Sequence, residues 1–165
     1  MTSEYSVIVK LGGYIGSNPE ILSAFPALNM DNADISGVLS KSLPYGAKTG
    51  EFFLNKYKKY NLISYTFKVE QDADRDDLFS FSILISKRDK TEIYKPALKQ
   101  LIEILNTKGL LTEEILLRHQ KTIFEGINQE QNIQIENVPI EFSEIFKKIR
   151  KELIKETPNL KGSFF

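Results

Sequence analysis

The residues best suited to chemistry in this chain lie in one short stretch, Gln71 to Asp77, where Asp72, Asp74, Asp76 and Asp77 surround Arg75. Aspartates at alternate positions suit a hard cation, because an EF-hand loop coordinates Ca²⁺ from its first, third and fifth positions. Asp72, Asp74 and Asp76 match those three, and there the match stops. The sixth position, a glycine in that motif, is Asp77, and the twelfth, a glutamate, is Ile83. The flanking residues also read as strands, whereas an EF-hand loop joins two helices. No metal site is expected. On its residues alone the stretch is a solvated acidic loop in which Arg75 pairs with its own neighbours.

Other chemistry-bearing residues are sparse. Leu11-Gly12-Gly13-Tyr14-Ile15-Gly16 follows a strand-like run, but it lacks the first glycine of G-x-G-x-x-G and the Lys-Ser/Thr of a P-loop. A strand follows it too, where a phosphate site needs a helix N-terminus. It is expected to be a hairpin turn. His119 is the one histidine, and there is no cysteine. With Leu116 three residues before it and Ile123 four residues after, it falls on an apolar helix side and has no second histidine to form a metal pair. No cofactor, disulfide or thiolate chemistry is expected.

The elements that position these residues follow from hydrophobic periodicity. Tyr5, Val7, Val9 and Leu11 share one face of an extended run, and Ile21 to Pro26 supplies a second strand. From Asn29 to Ser42 the spacing of Ile35, Val38 and Leu39 is helical, with Asp31 or Asn32 as the cap, and Leu43-Pro44-Tyr45-Gly46 ends it. Three period-two segments follow: Glu51 to Tyr57, Leu62 to Val69 and Leu78 to Ser86. Lys58-Lys59-Tyr60-Asn61 forms the turn between the first two, and the acidic loop joins the last two. Ala97, Leu98, Leu101, Ile102 and Leu105 trace a helix ending at Gly109, and Thr112 opens another carrying Leu116, Ile123 and Ile127. Residues 128–141, rich in Gln, Asn and Glu, read as a polar linker. In residues 142–165, Phe142, Ile145, Phe146, Ile149, Leu153 and Ile154 form one face of a last, amphipathic helix, followed by a tail. The expected fold class is α+β: a five-stranded antiparallel sheet flanked by helices, in the order ββαβββαα plus a C-terminal helix.

Composition narrows the function. The 165 residues carry 22 Lys plus Arg and 22 Asp plus Glu, so no net field exists to hold DNA or RNA, and nucleic-acid binding is not expected. No apolar run approaches the roughly 18 residues of a membrane span. The opening Met1-Thr2-Ser3-Glu4-Tyr5 has no signal-peptide character, so a cytoplasmic location is expected. The last helix is mildly basic, with Lys147, Lys148, Arg150, Lys151 and Lys155 against Glu144, Glu152 and Glu156. It either packs on the domain or contacts a partner or an anionic membrane surface.

Two segments carry a family resemblance. Ser42-Leu43-Pro44-Tyr45-Gly46-Ala47 followed by Gly50-Glu51-Phe52-Phe53 is similar to the leucine-proline-x-glycine turn and aromatic strand in the N-terminal lobe of DENN proteins. Ser64-Tyr65-Thr66-Phe67-Lys68-Val69, with Asp74-Arg75-Asp76-Asp77-Leu78-Phe79-Ser80 after it, resembles a strand, loop and strand of the folliculin-type longin domain. Together with the element order, the chain over about residues 5–127 resembles a longin domain, a module of trafficking proteins and of DENN-type regulators of small GTPases. The resemblance implies a small GTPase as partner and edge-to-edge pairing into a homo- or heterodimer with another longin-like domain. It also implies an arginine finger for the partner GTPase, which by position is Arg75; such a group stabilises charge on the transferring phosphoryl and is worth roughly 10³ to 10⁵ in rate. Profilin-like actin-binding proteins use a comparable sheet and are the alternative from another class.

Overall fold

The computed structural model describes residues 3–13, 16–28, 31–71, 76–88 and 91–156. Its centre is an antiparallel sheet of β1 (Ser3–Leu11), β2 (Glu20–Phe25), β3 (Phe52–Tyr57), β4 (Tyr60–Glu70) and β5 (Asp76–Ser86), in the spatial order β2-β1-β5-β4-β3. The first and last strands in sequence thus meet at the middle, Val7 opposite Ser82 and Val9 opposite Ser80. The architecture is α+β, with a five-stranded antiparallel sheet and flanking helices, consistent with the longin- and profilin-like arrangement.

Period-two alternation divides the sheet into two unlike faces. One carries Ile8, Ile63, Tyr65, Phe67, Phe79, Phe81, Ile83 and Ile85, all buried under the helices of the C-terminal half. Of these, α2 (Tyr94–Thr107) lies across β4, whereas α3 (Glu113–Gln129) lies across β1 and β2. Thr112 caps α3 by accepting from the Ile115 N–H at 3.1 Å, as its position before the two glutamates predicts. Gln120, buried in mid-helix, ties α3 to the sheet: its Nε2 lies 3.2 Å from the Ser6 carbonyl and 3.1 Å from the Ser6 hydroxyl.

The second face is smaller and more polar. Val7, Val9, Leu62 and Leu84 pack with Val38 and Leu43, supplied by α1 (Asn32–Ser42) and its exit. Asp31 caps α1, accepting from the Asp34 N–H at 2.8 Å. Beside these apolar residues stand two cross-strand hydroxyl pairs, Ser64 with Ser82 and Thr66 with Ser80. Gly37 lets α1 close down on Tyr57, because a Cβ at this position would meet Tyr57 Cε2 at 2.7 Å. The Tyr57 hydroxyl donates to the Asp34 carbonyl at 2.6 Å and completes the contact.

The structure corrects the reading of residues 128–141 as a polar linker. They hold a hairpin of β6 (Ile133–Ile135) and β7 (Val138–Ile140). Its two-residue turn, Glu136-Asn137, has φ of 47° and 70°, the positive values that a right-twisted hairpin favours. Ile135 and Ile140 are fully buried, so four alternating apolar residues outweigh the Gln-, Asn- and Glu-rich composition around them. The expected boundary at residue 127 dissolves with the linker. α4 (Phe142–Glu156) buries Phe142, Ile145, Phe146 and Ile149 in the same cluster as α2 and α3, forming a third layer on the helices. Gly126 of α3 permits that approach, since a Cβ there would lie 2.7 Å from Ile133 Cγ2 and 3.0 Å from Phe142 Cδ2.

Candidate functional site

Arg75, the expected finger, lies outside the described residues, as do Asp72 and Asp74. The other two acids of that stretch are described, and both serve the fold. Asp77 is buried: its Oδ1 accepts from the Gly13 N–H at 2.8 Å, and its Oδ2 lies 3.7 Å from Lys10 Nζ. Gly13, just after β1, is therefore fastened to the start of β5, and β1 and β2 pair antiparallel; Tyr14 and Ile15 of the expected turn lie outside the described residues. Lys10 also donates to Glu113 Oε1 at 2.9 Å, and this bond holds its ammonium pKa above the ordinary value. Asp76 is solvent-facing and lies 3.6 Å from Lys68 Nζ. His119, on α3, is mostly buried, with Nε2 3.9 Å from Glu136 Oε2 of the β6–β7 turn. Among the described residues no group of three His, Asp or Glu side chains is placed to hold a metal ion.

The surface that stands out is the turn leading from α1 into β3. The Ala47 N–H donates to the Pro44 carbonyl at 3.0 Å, closing a four-residue turn with Tyr45 and Gly46 at its centre. Gly46 has φ of 83°, the left-handed value needed at the third residue of a type II turn, which glycine reaches without a Cβ clash. The rest of the connection is pinned to the sheet by Thr66. Its hydroxyl donates to the Lys48 carbonyl at 2.5 Å and accepts from the Glu51 N–H at 3.0 Å. Its backbone N–H donates to the Glu51 carbonyl at 3.0 Å, and its carbonyl accepts from Gly50 at 2.8 Å.

This rigid loop holds the Tyr45 ring fully in solvent. β3, which follows, is an outer strand of the sheet, so half of its backbone N–H and C=O groups point away from β4 and are free to pair. On it Leu54 is 46% exposed, and Phe52 and Phe53 are half-buried. The backbone that presents this aromatic beside an open strand edge is already ordered, so association orders the ring alone and not the loop. Tyrosine is among the residues that most often carry binding energy. Sequence reasoning quoted this turn but nominated no residue in it; the signal was a tyrosine between the proline and glycine of a helix-ending turn.

Beneath α1, the Tyr57–Asp34–Lys58 group anchors the far end of β3. Lys58 Nζ lies 2.6 Å from Asp34 Oδ1, and this bond holds the Asp34 carboxyl below the usual carboxylate range. Burial pushes the Tyr57 hydroxyl pKa up. The group fixes the helix over the strand and brings no nucleophile or base into a cleft.

No protein-family model matches the chain, and no curated protein matches it in sequence. No helix among the described residues is long and apolar enough to cross a membrane.

Proposed function

We infer that this chain is a longin-like interaction module that binds or regulates small GTPases in membrane trafficking or signalling, docking through the α1–β3 turn and the β3 edge. The reading is carried by Tyr45: a fully exposed aromatic on a loop that four hydrogen bonds hold against Thr66. The sheet order supports it, because the β3 edge offers backbone groups either to a GTPase or to the sheet of a second longin-like domain. Its setting is cytoplasmic. Contact with a membrane runs through the exposed lysines of α4 and Ile154, which is 65% exposed, since Phe142, Ile145, Phe146 and Ile149 of that helix are committed to the core.

In the sharper form of the reading, Arg75 is an arginine finger for the bound GTPase. The test is single-turnover GTP hydrolysis by small GTPases of the same genome, with wild-type protein, Arg75→Ala and Tyr45→Ala. Stimulation by the wild type that Arg75→Ala abolishes makes the protein an activator. GTPase binding without stimulation leaves an adaptor and removes the finger. Tyr45→Ala is expected to weaken binding tenfold or more while leaving stability within about 0.5 kcal/mol, because a fully exposed side chain supports no packing. Unchanged affinity in Tyr45→Ala refutes this docking surface. An effect on actin polymerisation without GTPase binding favours the profilin-like alternative.

A further inference from the structure

In the outer helical layer, α2 and α4 leave a trough between them. Its main part holds about 620 Å³ over a floor that includes Ile104, Pro139 and Ile145. A second hollow of about 330 Å³ shares Gln100 and Ile104 with it and continues along α2 to Lys108. From Gln100 to Lys108 the helix rises about 12 Å, at 1.5 Å per residue, so the concavity is long as well as wide. That length suits about four residues of extended peptide.

One wall of the trough carries Lys147, Lys148 and Lys151. All three are exposed, and their side chains make no ion pair or hydrogen bond with any described residue. Their neighbour Arg150, by contrast, is held by Glu130. Lys147 and Lys151 are separated by about 6 Å along the helix axis. Alternate side chains of an extended chain repeat at about 7 Å, so carboxylates two residues apart can face both. Glu141 and Glu144 at the hairpin end, and Glu103 on the α2 side, reverse the sign of the lining.

We propose that this trough is a docking site for an extended segment of a partner protein in which acidic and aliphatic residues alternate. The aliphatic side chains cover Ile104, Pro139 and Ile145, and the carboxylates meet the three lysines. The mixed lining discriminates against a uniform polyanion such as nucleic acid, which Glu141 and Glu144 repel. A flat membrane reaches the lysine rim and the exposed Pro139 but not Ile104 and Ile145 below them. The proposal does not depend on the GTPase reading, because it uses a different face and different residues.

The test is fluorescence anisotropy of a labelled ten-residue peptide, with two lysines at one end and alternating Glu and Leu along the rest, titrated with the full chain. Saturable binding that weakens with added salt is expected, together with a loss of tenfold or more for the surface double variant K148E/K151E and for the peptide with Glu replaced by Gln. Circular dichroism of K148E/K151E checks that the fold is retained. Absence of saturable binding up to about 1 mM overturns the proposal, as does affinity unchanged in K148E/K151E. Binding to phosphatidylserine vesicles without binding to the peptide also overturns it, in favour of a membrane contact.

Discussion

Replacing Phe146 by alanine distinguishes a C-terminal helix that belongs to the core from one that merely rests on it. Phe146 has no exposed surface. Its ring meets Tyr94 edge-on at 6.0 Å between centroids and Phe142 at 6.1 Å, and the Arg150 guanidinium lies 6.0 Å from its centroid. Removing a buried phenylalanine from such a site costs about 3–5 kcal/mol in lost transfer free energy and residual cavity. For a domain of this size each kcal/mol is worth roughly 2–4 °C, so the melting temperature should fall by roughly 6–20 °C. The assay is urea unfolding followed by far-UV circular dichroism and by tyrosine fluorescence, for which the chain offers seven tyrosines and no tryptophan. The expected result is a lower midpoint, an unchanged slope and coincident transitions by both probes, which mark one cooperative unit. A loss below about 1 kcal/mol, or a separate early transition for the helix, refutes the assignment of α4 to the core.

Two further perturbations test the close contacts. At Gly126, alanine gains about 1 kcal/mol of helix propensity but drives its Cβ into Ile133 and Phe142, an overpacking cost of about 1–3 kcal/mol. A net loss near 1 kcal/mol in urea unfolding is expected, and a stabilised variant contradicts the packing of the hairpin and α4 against α3. The Asp34–Lys58 pair predicts a pH dependence. The pair holds the Asp34 pKa below its unfolded value near 4, so its contribution is present above that value and lost as pH falls through the folded pKa. Wild type should thus exceed Asp34→Asn in urea midpoint between about pH 5 and 9, with the difference closing below pH ~4. The Tyr57 hydrogen bond survives in this variant, because it is made to the Asp34 backbone. A difference that persists at acid pH assigns the effect to something other than the pair.

The sheet was legible because its central strands alternate cleanly. Phe79, Phe81, Ile83 and Ile85 fall on one face and mostly serines on the other, and the same alternation in β1 and β4 gave element order and class. The caps Asp31 and Thr112 were legible for a similarly local reason: each is a short oxygen-bearing side chain placed to accept from a backbone N–H three residues on. The β6–β7 hairpin was not legible. Its strands have three residues each, and its turn uses Glu136-Asn137 without the glycine that usually announces such a turn. Strand order was hidden too, since β1 pairs with a strand as distant as β5, Val7 with Ser82, and leaves no local pattern. Tyr45 was visible as part of a motif, but its exposure depends on how Thr66, in β4, grips the loop that enters β3. That grip is a long-range fact.

The same long-range contacts change the electrostatics next to Arg75. Counted from sequence, four aspartates surround one arginine, and the local field disfavours a phosphate. In the fold, Asp77 is turned inward and shared between Gly13 and Lys10, and Asp76 has Lys68 at 3.6 Å. Two of the four carboxylates thus have a lysine from the sheet beside them, Lys10 from β1 and Lys68 from β4. At the surface a Debye length of about 8 Å screens what remains, so a docked partner meets a smaller negative potential than the sequence count suggests. Asp76 and Asp77 are thus engaged with the sheet, and these two charges do not by themselves oppose the finger reading. That separation is testable within the hydrolysis assay: if the acids oppose phosphate, Asp76→Asn raises stimulation, and if Asp76 only pairs with Lys68, it does not.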